Sequence, residues 1–130
     1  MGTRSTIKFI DNGKNICSIY QQYDGYPASV GLELAKFLNN TQIINGFNSN
    51  DNMGKANGLG CLSAQFIAKI KTDIGSIYMT DADDEQEYNY IVSLETYPIM
   101  KEISIIVNDY SSQIFNGTKE EFLQFCKESE

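Results

Sequence analysis

The sequence predicts one α+β domain covering residues 1–130, built from a mostly antiparallel sheet of five or six strands, two main helices and a short C-terminal helix. Apolar residues alternate with polar ones towards both ends of the chain, which is the period of a half-buried strand. Two central segments instead repeat apolar residues at helical spacing. Strands and helices do not alternate regularly, and 130 residues is the usual length of one domain.

The first strands are predicted to form a hairpin. In residues 3–10, Ile7 and Phe9 share one face. An Asn-Gly turn follows, and a second run rich in β-forming residues ends at Gln21, so residues 3–22 are expected to be a β-hairpin. Three further alternating segments predict a meander, and they cover 76–80, 87–95 and 102–108.

Apolar residues at helical spacing predict two main helices, at 29–38 and 61–73, on one face of the sheet. Thr118 followed by Glu121 is a capping-box pattern, which predicts a short final helix ending near Lys127. Residues 39–60, rich in Asn and Gly, are expected to form a long loop, and such loops in compact domains are usually functional or mobile.

The charge balance and the lack of histidine narrow the function. Ten Lys and Arg oppose 17 Asp and Glu, for a net charge of −7, and the chain contains no histidine. Hydrolase triads and most zinc sites use imidazole, so we expect a non-enzymatic protein with no cofactor and no metal. Proteins that bind the phosphate backbone need clustered Lys and Arg, so duplex nucleic acid is not an expected partner. The acidic run at 81–87 lacks the glycine of an EF-hand loop and is interpreted as solvated hairpin acids.

The cysteines and the hydropathy pattern predict a cytoplasmic protein. Cys17, Cys61 and Cys126 are odd in number and far apart, which fits a reduced cytosol where thiols behave as small buried hydrophobes. No run of about 20 apolar residues and no signal-peptide pattern is present, so no association with a membrane is expected.

One candidate binding segment is residues 20–27, Tyr-Gln-Gln-Tyr-Asp-Gly-Tyr-Pro, where a predicted strand becomes a loop. Aromatic faces beside amide and carboxylate groups can hold a planar ring or a sugar. Ordinary strand ends also contain tyrosines, so a structural role is the alternative. The candidate ligand-binding residues of this segment are Tyr20, Gln22, Tyr23, Asp24 and Tyr26.

A second candidate is the glycine-rich entry to the second predicted helix, comprising Asn57, Gly58, Gly60 and Cys61. Glycines before a helix let backbone N–H groups point at an anion. The segment has neither the third glycine nor an evident preceding strand of a dinucleotide-binding fingerprint, so a flexible entry turn is the alternative. Cys61 is expected to be buried, because a nucleophilic cysteine would lack its usual histidine base.

Arg4, the only arginine, is the third candidate. Its planar guanidinium is the group in this chain best suited to bind a phosphate or a carboxylate through two parallel hydrogen bonds. The alternative is a structural salt bridge to one of the 17 acidic residues.

Three stretches together resemble a known group of proteins: Gly2-Thr3-Arg4-Ser5, the segment 20–27, and the segment 57–65, Asn-Gly-Leu-Gly-Cys-Leu-Ser-Ala-Gln. They resemble short proteins of unassigned function from tailed phages, prophages and some other large DNA viruses. The resemblance implies a viral protein that acts in the cytoplasm of its host, but it does not imply any particular activity. The chain is also similar, only in being short, acidic and poor in histidine, to small phage proteins that bind and sequester nucleotide signals of host immunity.

The leading hypothesis is a protein that binds and sequesters a small phosphate-bearing or nucleotide-like immune signal, in pockets of a homo-oligomer. Arg4 and the backbone at 58–61 would hold the anion, and the tyrosines of 20–27 would stack on the ring. The first alternative is an acidic module that binds a host protein through the Asn-rich loop and the acidic run. The second is a histidine-independent enzyme that uses Cys61 or carboxylates.

Overall fold

A computed structural model describes residues 2–46, 54–81 and 83–129. A π-helical turn, Pro27–Gly31, leads directly into the first α-helix. The strands are β1 (Ser5–Asp11), β2 (Lys14–Gln21), β3 (Gln42–Ile44), β4 (Lys55–Asn57), β5 (Ile77–Met79), β6 (Tyr88–Leu94), β7 (Ser104–Asp109) and β8 (Ser112–Thr118). The helices are α1 (Leu32–Asn39), α2 (Gly58–Ile70) and α3 (Lys119–Glu128).

Six strands form one sheet in the order β5-β2-β1-β6-β7-β8. All neighbours are antiparallel except β1 and β6, which pair in parallel from Ser5↔Tyr88 to Asp11↔Leu94. The α+β class and the mostly antiparallel sheet are therefore confirmed. The expected meander is wrong in one respect, because β5 pairs with β2 at one edge of the sheet and does not pair with β6.

The hydrophobic core lies between the sheet and the three helices, which all cover one face. Phe9 of β1 meets Phe66 of α2, with ring centroids 6.3 Å apart, and Phe66 also meets Phe37 of α1 at 5.3 Å. Tyr90 of β6 meets Phe122 of α3 at 6.2 Å. Strand side chains alternate between the two faces of a sheet, so each strand contributes the apolar residues of one face to this core.

Several boundaries differ from those predicted. The helix expected at 61–73 begins at Gly58 and ends at Ile70. The predicted loop 39–60 contains β3 and β4, which pair in parallel as a separate two-stranded sheet, and its residues 47–53 lie outside the described part. Strand β8 was not predicted. The capping box is confirmed, since the Thr118 side chain accepts from the Glu121 N–H and the Glu121 carboxylate accepts from the Thr118 N–H.

The acidic run leads from β5 to β6 as a crossover, which corrects the expected hairpin. These two strands are parallel to each other, with β2 and β1 between them. The side chain of Asn89 lies on the sheet face opposite the helices, where it accepts from the Thr6 hydroxyl. It also bonds to both backbone groups of Gln86, at 3.0 and 2.8 Å. The crossover therefore passes over the face that the helices leave open.

Candidate ligand-binding site

The main candidate site is a cleft of about 460 Å³ at the end of the sheet where β1 begins, and we call it the Arg4 cleft. Four separate chain segments meet there: the residues before β1, the loop after β2, the crossover, and the β7–β8 turn. It is lined by Gly2, Arg4, Gln22, Tyr23, Glu85, Gln86, Glu87 and Tyr110.

The loop after β2 is fixed from both sides. The Gly25 N–H donates to the Thr3 carbonyl at 2.9 Å, and the Tyr90 hydroxyl donates to the Gly25 carbonyl at 2.7 Å. Before this glycine, the side-chain amide of Gln21 donates to the Tyr23 carbonyl at 2.7 Å. With its backbone held in this way, Tyr23 is 54% exposed at the cleft wall.

The Arg4 carbonyl accepts from the Tyr88 N–H at 3.3 Å, whereas the Arg4 side chain makes no hydrogen bond or ion pair with any residue in the described ranges 2–46, 54–81 and 83–129, and the residue is exposed. The alternative of a structural salt bridge is therefore not supported there. Two acidic residues, Glu85 and Glu87, also line the cleft. One guanidinium opposes two carboxylates, so the lining as a whole does not have the positive potential that several phosphates would require.

The remaining residues of the segment 20–27 lie outside this cleft. Tyr20 stands on the open sheet face, 6.1 Å from the ring of Tyr78, and its hydroxyl donates to the Gln22 side chain at 2.7 Å. Asp24 is exposed with a φ of 57°. Tyr26 lines a neighbouring cleft of about 530 Å³ together with Phe125. Of the five predicted residues, the structure thus brings Gln22 and Tyr23 to Arg4.

The glycine-rich segment lies elsewhere. Asn57 and Gly58 line a cleft of about 480 Å³ together with Asp11, which ends β1. The Asn57 side chain accepts from the Gly46 N–H at 2.7 Å, so it closes the small β3–β4 unit. The structure also places β4 directly before Gly58, although the sequence showed no strand there.

Gly60 and Cys61 do not line that cleft. Both are exposed, so the expectation that Cys61 is buried is wrong; its thiol lies 3.0 Å from the Gln65 side-chain oxygen, one helical turn on. A first-turn position faces the core only if it falls on the apolar stripe, and Leu59 and Leu62 occupy that stripe here.

The two predicted anion-binding elements lie too far apart within one molecule to share one small ligand. Arg4 precedes β1, whereas Asp11 beside Gly58 ends it, and seven strand residues span roughly 20 Å. Within one molecule, therefore, the structure does not bring Arg4 and the backbone at 58–61 to the same anion. Sequence reasoning also missed Glu85, Gln86 and Tyr110, which reach the Arg4 cleft only because the crossover and the β7–β8 turn end there.

Within the described ranges, no helix is both long enough and apolar enough to cross a membrane. No protein-family model, no curated protein and no solved structure matches this chain.

Proposed function

We propose that this protein is a non-enzymatic binding protein that captures a small ligand with one anionic group and one planar ring in the Arg4 cleft. The observation that carries the proposal is the position of Arg4. Within the described part of the chain, the side chain of this sole arginine has no partner, and it lies beside an exposed tyrosine and an amide.

Each lining group has a distinct role. The Arg4 guanidinium presents paired N–H donors that match a phosphate or a carboxylate. Tyr23 and Tyr110 are 54% and 64% exposed, which leaves aromatic surface for stacking against a base. The Gln22 side-chain oxygen already accepts from the Tyr20 hydroxyl, so the side-chain N–H groups of Gln22 are the ones that would donate to a ligand.

The two carboxylates limit the ligand to a single negative charge. Glu85 and Glu87 repel a polyphosphate, whereas they accept hydrogen bonds from the N–H groups of a base. These features favour a cyclic mononucleotide, whose phosphodiester carries one negative charge, over a nucleoside monophosphate or triphosphate, whose terminal phosphate carries nearly two at neutral pH. Together with the resemblance to viral proteins, they support sequestration of a nucleotide-like host immune signal as the biological role.

A thermal-shift and calorimetry panel tests the proposal, using nucleoside mono- and triphosphates, cyclic mono- and dinucleotides, ADP-ribose and NAD. A bound monoanion present at 100 times its Kd should stabilise the fold by about 2.7 kcal/mol and raise Tm. We expect Arg4→Gln to weaken that binding at least tenfold. Lys14→Gln is the matched control, because it removes the same charge from the exposed β1–β2 turn at the other end of the sheet. No shift across the whole panel would refute the proposal.

The second candidate function is capture of a protein partner, and the segment after β6 favours it. Tyr97 and Ile99 are 84% and 74% exposed. The segment is nonetheless held in place: Thr96 and the Asn12 side chain exchange two hydrogen bonds, and the Lys101 ammonium lies 2.8 Å from the Glu95 carboxylate. An ordered loop that presents large apolar side chains is typical of an interaction surface.

A pull-down from host lysate distinguishes this second function. A stoichiometric partner that is lost from the Tyr97→Ser and Ile99→Ser variants, with no thermal shift from any nucleotide, would favour a protein-interaction module over ligand capture. Retention of that partner by both variants would exclude this loop as its binding surface.

A further inference from the structure

The two edges of the six-stranded sheet are protected very differently. Edge strand β5 has only three residues, and the Lys71 ammonium donates to the Ile77 carbonyl at 2.8 Å. The same ammonium lies 5.5 Å from the centre of the Tyr78 ring. Short length and a lysine are two of the devices that keep an edge strand from pairing with another chain.

Edge strand β8 has neither protection. It is seven residues long, Ser-Gln-Ile-Phe-Asn-Gly-Thr, and contains no charged residue and no proline. The Thr118 N–H is taken by the Glu121 carboxylate. Within the described part of the chain, no side chain bonds to the backbone of residues 112–117, and β7 is the only strand that pairs with them. Alternate residues of this stretch therefore direct N–H and C=O groups away from the sheet.

The geometry points to a second copy of this chain as the occupant: we infer that β8 pairs antiparallel with β8 of another molecule, which joins two sheets into one of twelve strands. An antiparallel pair of identical strands has two-fold symmetry, so the unpaired N–H groups of each β8 face the unpaired C=O groups of the other. Residues 112–117 would gain about six main-chain hydrogen bonds.

Charge also favours a second copy at this edge. Each molecule carries a net charge of −7, so two copies repel each other over most of their surfaces. The uncharged stretch of β8 is a place where they can approach without opposing acids. Ile114, which is 41% exposed on this strand, adds apolar surface at the junction. It also lines the cleft that contains Tyr26 and Phe125, so that cleft borders the inferred interface.

Sedimentation equilibrium tests this interface directly. The wild-type chain should show twice its 14.6 kDa mass at about 100 µM. Ile114→Lys and, separately, Asn116→Lys place a charge on the pairing edge, and each should raise the dimer Kd at least tenfold. Ile16→Lys is the matched control, because Ile16 is also a strand isoleucine, 40% exposed, and lies in β2 near the opposite edge of the sheet. Its dimer Kd should stay within twofold of wild type.

Hydrogen exchange on the wild-type protein gives an independent measurement that needs no variant to fold. The amides of residues 112–117 should exchange more slowly as protein concentration rises through the dimer Kd. A wild-type monomer at 100 µM, an unchanged dimer in either folded β8 lysine variant, or concentration-dependent protection that avoids β8 would overturn the inference. None of these outcomes depends on ligand binding in the Arg4 cleft.

Discussion

The hydroxyl of Tyr90 donates a 2.7 Å hydrogen bond to the carbonyl of Gly25, across 65 residues of sequence. Tyr90 lies in the middle of β6 and is fully buried, while Gly25 follows the exposed Tyr23. The bond therefore attaches the wall of the Arg4 cleft to the centre of the sheet, which makes core stability and cleft geometry interdependent.

We expect Tyr90→Phe to lower the free energy of unfolding by about 1 to 3 kcal/mol, because it leaves the buried Gly25 carbonyl without its donor. Urea denaturation measures the loss. Tyr78→Phe is the control, since Tyr78 is 49% exposed and its variant should unfold within about 0.5 kcal/mol of wild type. Equal stability of Tyr90→Phe and wild type would show that this bond does not hold the turn.

Glycine is required at position 25 because of close packing. A Cβ there would lie 2.6 Å from both side-chain atoms of Ser5 and 2.9 Å from the Thr3 carbonyl. Gly25→Ala should therefore destabilise the fold by about 1 to 3 kcal/mol. Gly60→Ala is its matched control, since a Cβ at that helical position meets nothing within 4 Å and should be neutral or stabilising by up to about 1 kcal/mol. Thermal melts that rank the two variants in the opposite order would contradict this packing.

The cap of α3 should contribute measurably to stability. Thr118→Ala removes the acceptor for the Glu121 N–H and should cost about 1 kcal/mol. Thr118→Ser keeps a hydroxyl at that position and should retain most of the stability. Both values are read from urea denaturation, and an alanine variant as stable as the serine variant would show that the capping bond contributes nothing.

Alkylation should separate the three thiols. Cys61 is exposed, Cys17 is half-buried and Cys126 is buried, so iodoacetamide at neutral pH should modify Cys61 first in the folded protein. Mass spectrometry should then show three modified cysteines after unfolding in urea. The chain has no histidine to activate Cys61, so we expect the rate of an ordinary exposed thiol. A much faster rate would support the enzymatic alternative, and an unreactive Cys61 would eliminate its cysteine form.

Stability should fall as the pH rises above about 9. Burial raises the pKa of Cys126 from 9.0 to about 12, and burial also raises the pKa of Tyr90. Between pH 9 and 12 the unfolded chain releases the Cys126 proton while the folded chain retains it, so unfolding becomes more favourable by at most about 1.4 kcal/mol per pH unit for this group.

Urea denaturation between pH 8 and 11 measures this slope, and Cys126→Ala should reduce it. Val107→Ala is the control, because it also shortens a buried side chain but removes no titratable group, so the slope should be unchanged. A stability that stays constant or increases over this range would contradict the burial of both groups.

Local patterns predicted the elements that depend on neighbouring residues. Thr118 and Glu121 are three positions apart, so their capping box was visible in the sequence. Only one of the two partners of β1 could be predicted from the sequence. Strand β2 follows after a short turn, whereas the pairing of Ser5 with Tyr88 depends on contacts that no local pattern encodes. Strand β8 was missed because Asn116 and Gly117 interrupt its run of β-forming residues, and tertiary packing of Phe115 on α3 overrides that weak propensity.

The candidate site was predicted only in part, for a related reason. Gln22 and Tyr23 are close to each other in sequence, and the choice of Arg4 followed from its being the sole arginine. Glu85 and Tyr110 join them through strand order, which the sequence does not reveal. Gly58 was grouped with Arg4 on chemistry alone, whereas the length of β1 keeps them apart.

The parallel pairing of β1 with β6 also affects how the chain is made. Translation at 5–20 residues per second delivers Tyr88 roughly 4 to 17 seconds after Ser5. During that interval one side of the central strand has no partner, and Ile7 and Phe9 lack much of their eventual cover. The nascent chain therefore carries an open strand edge while it is still attached to the ribosome, and its folding yield depends on how soon Tyr88–Leu94 emerges to close that edge.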